Sequence, residues 1–140
     1  MSPETQRLIA SYIIKQAEQF LLEFEGFFPF AAVINYAGEI VPMGAELDNE
    51  ENPSAHDIIL LFEQALKTQF QQKEIVYAAI CADVSVEAPH LVGEMDALEI
   101  RCQSITKESV NVYVPYYRDY KKNIIFLEPY EEEGNLDLLD

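Results

Sequence analysis

The sequence is poor in the residue types that hold phosphate, metal ions and nucleic acid. Of 140 residues nine are Lys or Arg, two are His, two are Cys and five are Gly, against 25 Asp and Glu, which gives a formal net charge of −16. The glycines are scattered and form neither GxxxxGK nor GxGxxG, so no phosphate-binding loop is predicted. So few basic side chains in so acidic a chain do not make the extended positive surface that nucleic acid needs. We therefore expect no nucleic-acid partner.

Cysteines and long apolar runs are also scarce. The chain is 49% hydrophobic and can fill a core without a disulfide, so Cys81 and Cys102 are predicted to be reduced core residues, with no catalytic thiol. The longest apolar run, FFPFAAVI, is far shorter than the ~18 residues of a membrane-spanning helix. The start MSPETQRLIA lacks the pattern of a secretory signal. These features predict a cytoplasmic protein that does not bind membranes.

The negative charge is concentrated in two stretches that contain no Lys or Arg. The first stretch holds Glu46, Asp48, Glu50, Glu51 and Asp57, and the second holds Glu128, Glu131, Glu132, Glu133, Asp137 and Asp140. Such stretches repel phosphate and anionic lipid, and they attract basic proteins at a rate that salt lowers. We predict one domain over residues 1–128, followed by a frayed acidic tail over 129–140.

The periodicity of apolar residues predicts two helices and a run of strands. The expected elements are a helix over 3–24, strands over 30–35 and 39–43, a helix opened by Ser54, a strand over 75–86, and strands around 98–102, 110–114 and 124–127. Gly26 is expected to end the first helix in a left-handed conformation. Pro42 places the second strand at a sheet edge, and Pro115 is expected to end a strand. The order α-β-β-α-β-β-β(-β) predicts an α+β fold in which the helices pack on a single antiparallel sheet.

One stretch resembles a known group of domains. AAVINYAGEIV, residues 31–41, is similar to the first hairpin of the roadblock/longin and related profilin-like domains. The succession helix, hairpin, helix, meander is also similar to theirs and to PAS- or GAF-like sensors. Phe-Pro-Phe-Ala near residue 30 and Val-Pro-Tyr over 114–116 resemble small uncharacterised bacterial proteins. The resemblance implies a profilin-like fold and a homodimeric scaffold or sensor.

Few polar residues are placed for catalysis. His56 and His90 could join the acids near residue 48 at a metal ion, but the spacing matches neither an EF-hand nor a HExxH helix, so no metal or cofactor is predicted. Asp83 interrupts the apolar third strand. It marks either the point where the strand leaves the core or a group that faces a pocket, and we favour the first interpretation. We therefore predict that the protein is not an enzyme.

The stretch YYRDYKKN, residues 116–123, combines aromatic and basic residues in an acidic chain. Tyr and Arg are enriched at the centres of protein interfaces, which favours a binding patch. The alternative is a hairpin tip whose tyrosines cover the end of the sheet while its basic residues neutralise the acidic tail.

These observations predict an interaction protein with a basic protein partner, as immunity proteins or antitoxins have for basic toxins. The alternative is the profilin-like homodimer. The predicted partner-binding residues are Glu46, Asp48, Glu50, Glu51, Tyr116, Tyr117, Arg118 and Tyr120.

Overall fold

A computed structural model describes residues 3–44 and 54–139. The helices are α1 (Pro3–Glu23) and α2 (Ala55–Gln71), and the strands are β1 (Phe30–Asn35), β2 (Ile40–Met43), β3 (Ile75–Glu87), β4 (Glu94–Ser104), β5 (Ser109–Arg118), β6 (Ile124–Phe126) and β7 (Tyr130–Glu133). Neither helix in this part of the chain is long and apolar enough to cross a bilayer.

The predicted fold class is confirmed. The strands form one antiparallel sheet in the order β2-β1-β3-β4-β5-β6, and β7 also pairs with β5. As expected from Pro42, β2 lies at an edge of the sheet. The β1–β2 hairpin turns at Gly38, whose φ is +83°. Asn35 Oδ1 accepts hydrogen bonds from the N–H groups of Ala37 (3.0 Å) and Glu39 (2.9 Å), which fixes that turn.

The two helices cover opposite faces of the sheet. Side chains alternate along each strand, so β3 points Tyr77, Ala79 and Cys81 toward α1, and Ala78 and Ile80 toward α2. Helix α1 buries the side chains of Ile9, Ile13, Ala17 and Leu21 at a spacing of four residues. Helix α2 in the same way buries Ile58, Phe62, Leu66 and Phe70. Burial on both faces explains why the β3 sequence is almost continuously apolar.

The end of α1 differs in detail from the sequence-based prediction, whereas the start of α2 agrees with it. Gly26 does not have a positive φ, and α1 ends at Glu23. A Cβ on Gly26 would lie 3.1 Å from Asp83 Oδ2, a tight contact that a small shift of the Asp83 side chain would relieve. Helix α2 begins as predicted, since Ser54 Oγ accepts a hydrogen bond from the Asp57 N–H at 3.1 Å.

Strand β5 continues past Pro115, which was expected to end it. Pro115 pairs with Ala97 of β4 and is buried, and β5 runs on to Arg118. The connection to β6 is therefore residues 119–123, shorter than the predicted 115–123. Pro115 is the last residue of β5 that pairs with β4, and the end of a ladder tolerates a residue that has no N–H to donate.

The C-terminal segment differs from the expected frayed tail. Residues 130–133 form β7 along β5, and the side chains of Leu136 and Leu138 are buried against α2. The Leu138 N–H donates a hydrogen bond to Gln103 Oε1 at 2.8 Å, and Asn111 Nδ2 donates one to Asn135 Oδ1 at 3.2 Å. Burying two leucines stabilises this segment by about 1.5–3 kcal/mol for each side chain. The acids here are exposed, but the backbone that carries them is packed on the sheet.

Candidate interaction surface

Tyr116, a predicted contact residue, belongs to the core. It lies on the face of β5 that α1 covers, with 2% of its surface exposed. Its hydroxyl donates a hydrogen bond to Asp83 Oδ1 at 2.7 Å. Burial raises the pKa of Asp83, while the bond from Tyr116 lowers it. Burial also raises the pKa of Tyr116, and the neighbouring Asp83 adds to that shift. Side chains alternate between the two faces of β5, so the next residue, Tyr117, faces solvent.

Arg118 forms hydrogen bonds with the backbone at the end of α1. Its Nη2 donates hydrogen bonds to the backbone oxygens of Leu21 (3.0 Å), Phe24 (2.9 Å) and Glu25 (3.1 Å). The last carbonyls of a helix have no partner within it and carry partial negative charge, so a guanidinium there satisfies and neutralises them. In this structure Arg118 thus joins α1 to β5, and it brings the hairpin tip against the segment that follows α1.

The β5–β6 tip presents the other tyrosines to solvent. Tyr117 is 47% exposed and Tyr120 is 90% exposed. Lys121 Nζ lies 5.6 Å from the centre of the Tyr120 ring, within the range of a cation–π contact. Asp119 Oδ1 accepts the N–H groups of Lys121 (2.8 Å) and Asn123 (2.9 Å), which fixes the turn. These hydrogen bonds lower the pKa of Asp119, and the bond from the Asn123 N–H has the largest effect.

An aromatic cavity lies beside this tip, and the sequence analysis did not single it out. The cavity has a volume of about 650 Å³, and we call it the phenylalanine cavity; its lining residues are Phe20, Phe24, Gly26, Phe27, Phe28, Pro29, Phe30 and Ile58. Phe20, Phe27 and Phe30 contact one another, with ring centres 5.3–6.0 Å apart. Phe24 and Phe28 are 60% and 63% exposed. The feature of the sequence that could have indicated this cavity is the presence of four phenylalanines within residues 24–30, where the chain passes from α1 to β1.

A second depression joins the cavity to the hairpin tip. It has a volume of about 480 Å³, and its lining residues are Leu21, Leu22, Glu23, Phe24, Glu25, Arg118 and Lys122. Phe24 lines both depressions. The predicted contact residue Arg118 therefore lies at the same end of the molecule as the phenylalanines, and Tyr117 and Tyr120 are its near neighbours in the chain.

The predicted acidic contact residues are not placed by the structure. Glu46, Asp48, Glu50 and Glu51 lie outside the described residues, and their role stays a prediction. The second acidic stretch is described as far as residue 139, and Glu131, Glu132 and Glu133 are exposed on β7. Glu131 Oε1 accepts a hydrogen bond of 2.9 Å from Gln6 Nε2 of α1. The glutamates thus form a negatively charged edge beside β5.

The residues considered for catalysis or metal binding are dispersed. Cys81 and Cys102 are free and buried. Burial raises the pKa of both thiols, that of Cys102 to about 11, which disfavours the reactive thiolate. His56 is exposed in the first turn of α2, and His90 packs edge-on against Tyr130 with ring centres 5.9 Å apart. Within residues 3–44 and 54–139, no three His, Cys, Asp or Glu side chains are grouped as a metal site requires.

Comparison of the chain with protein-family models, curated proteins and solved structures gives no match. Function must therefore be argued from the chemistry of the surface.

Proposed function

We propose that this protein is a non-enzymatic interaction module of the cytoplasm that binds a basic protein, in the manner of bacterial immunity proteins or antitoxins. The observation that carries the proposal is the pairing of exposed aromatic rings with exposed acids at one end of the molecule. Phe24 and Phe28 project into solvent there, and Glu23 and Glu25 flank Phe24. Contiguous exposed apolar surface on a soluble domain is characteristic of interaction sites.

The charge of the whole chain favours a basic partner. With a net charge of −16, the molecule attracts cationic proteins from a distance and raises their association rate. The described acids include the exposed glutamates of β7, and the proposal also includes Glu46, Asp48, Glu50 and Glu51. The aromatic residues would then supply contact area after the encounter.

The test is the salt dependence of association. A partner is isolated by affinity capture at low salt, and its association and dissociation rates are measured between about 0.05 and 0.3 M salt. We expect the association rate to fall about tenfold over that range, with a smaller change in dissociation. A variant in which Glu46, Asp48, Glu50 and Glu51 become Gln or Asn should associate more slowly and depend less on salt. An acidic partner, or a rate that salt leaves unchanged, would contradict the proposal.

A homodimeric profilin-like scaffold is the second candidate, and the exposed Phe24 and Phe28 favour it because apolar patches also serve self-association. The two candidates respond to salt in opposite directions. Two copies that each carry a charge of −16 repel each other, so added salt strengthens a dimer and weakens capture of a basic partner. Sedimentation measurements at low and high salt distinguish them.

A further inference from the structure

We infer that the phenylalanine cavity is the anchoring site for the partner, and that it accepts one large apolar side chain flanked by Lys or Arg. The inference rests on the proposed function and names the part of the surface that would perform it. The partner segment would place its apolar side chain among the phenylalanine rings and its cations against Glu23 and Glu25.

The cavity has room for a large apolar side chain, and its lining residues are apolar. Its volume of about 650 Å³ lies within the roughly 300–1,000 Å³ of ligand sites in proteins. Pro29 and Ile58 are buried in its wall. The contacts among Phe20, Phe27 and Phe30 hold the rings in place, so little order has to be gained on binding.

The exposure of the remaining rings indicates where the partner would lie. Phe24 and Phe28 expose more than half of their surface at the cavity. A partner side chain that enters the cavity would cover both rings. Aromatic residues that lose water on binding are the ones that dominate the energy of protein interfaces.

The net charge of the chain favours a cationic segment over an anionic one. Glu23 and Glu25 are exposed on either side of Phe24. The nearby Arg118 already donates three hydrogen bonds from Nη2 to backbone oxygens. Arg118 and Lys122 balance Glu23 and Glu25 within the lining of the second depression, so the preference for a cation comes from the net charge of −16 on the chain. An anionic amphiphile such as laurate is therefore the less suitable occupant.

The absence of tryptophan from the chain makes a direct test simple. The probe is a short peptide with one Trp between lysines, because its Trp emission shifts to shorter wavelength when the ring leaves water. Two matched peptides serve as controls, one with glutamates in place of the lysines and one with Ala in place of the Trp. Laurate is tested as a competitor.

The protein variants are chosen at exposed positions so that folding is preserved. We expect Phe24→Ser and Phe28→Ser each to weaken binding of the Lys-Trp peptide by about tenfold. Tyr36→Ser is the matched control, because Tyr36 is similarly exposed at 56% but lies in the turn that follows the far end of β1, and this variant should bind the peptide like the wild type. Glu23→Gln combined with Glu25→Gln should weaken binding several-fold and reduce its dependence on salt. Circular dichroism and thermal unfolding confirm that each variant is folded.

Three results would overturn the inference. Equal binding of the peptide by the wild type and both Phe variants would place the anchoring site elsewhere. The proposal of a basic partner would not be contradicted by that result. Tighter binding of the glutamate peptide or of laurate would refute the assignment of charge. Failure of the Lys-Trp peptide to bind, together with unchanged capture of the partner by Phe24→Ser, would also refute it. Binding of the Lys-Trp peptide with loss in both Phe variants would support the cavity even if the captured partner proved to be acidic, in which case the proposed function alone would fail.

Discussion

Asp83 and Tyr116 are polar residues on the face of the sheet that α1 covers. The 2.7 Å bond between them satisfies a carboxylate that is half-buried below Gly26. The strand position alone left two interpretations of Asp83 open, a solvated strand end or a group in a pocket. The structure shows a third arrangement, in which a tyrosine from β5 supplies the partner. That pairing depends on residues 33 positions apart, which no local pattern reveals.

The raised pKa of Asp83 predicts how stability depends on pH. Burial is the largest cause of the shift, so the folded protein holds this proton to a higher pH than the unfolded chain does. Stability contributed by this group therefore falls as pH rises from the unfolded pKa through the folded pKa. We expect Asp83→Asn, whose Oδ1 still accepts from Tyr116, to be more stable than the wild type at neutral pH and to lose that advantage near pH 4. Urea unfolding at about pH 4 and pH 7 measures both free energies.

Asp137→Asn is the control for that comparison, because Asp137 is an exposed acid on the C-terminal segment. Its free energy of unfolding should follow that of the wild type at both pH values. Lower stability of Asp83→Asn at neutral pH would mean that the ionised carboxylate stabilises the fold.

At the scale of elements, one side chain of β5 hydrogen-bonds to the end of α1. Arg118 reaches from the end of β5 to three backbone oxygens at the end of α1. The sequence predicted a helix and a strand at these places from periodicity alone. It also assigned Arg118 to a partner, because an arginine beside tyrosines is as typical of interfaces as of helix ends.

Replacement of this side chain separates a role in folding from a role in binding. We expect Arg118→Met to lower the free energy of unfolding by about 1–3 kcal/mol, since hydrogen bonds that involve a charged group are lost. Amide hydrogen exchange should accelerate in the last turn of α1. Lys122→Met, at an exposed neighbouring position, should change stability by less than about 0.5 kcal/mol. Unchanged stability of Arg118→Met with loss of partner binding would return Arg118 to the contact surface.

At the scale of the whole molecule, the C-terminal segment completes the buried cluster between α2 and the sheet. Leu136 and Leu138 join Ile58, Phe62 and Leu66 of α2 in one buried cluster. The segment therefore contributes to the fold despite its acidity. Residues 136–138 show why: Leu136 and Leu138 are buried, and Asp137 between them is exposed.

This arrangement predicts a large difference between adjacent substitutions. Leu138→Ala should destabilise the protein by about 2–4 kcal/mol, because it removes buried methyl groups and leaves a cavity. Asp137→Ala should change stability by less than about 0.5 kcal/mol. Urea unfolding of the two variants measures the difference. Equal stabilities would show that the C-terminal segment is not packed in solution.

The sequence by itself determined the two helices, the hairpin at Gly38, the edge position of β2 and the α+β class, because helical periodicity, turn residues and proline act over a few neighbouring positions. Only the tertiary structure decided that Tyr116 is buried while Tyr117 is exposed, that residues 130–133 pair with β5, and that the phenylalanines near residue 27 line an open cavity. Each of these outcomes depends on which distant segment covers a side chain. Local composition was misleading for the C-terminal segment, since its acids dominate the pattern, whereas burial of two leucines against α2 determines its place.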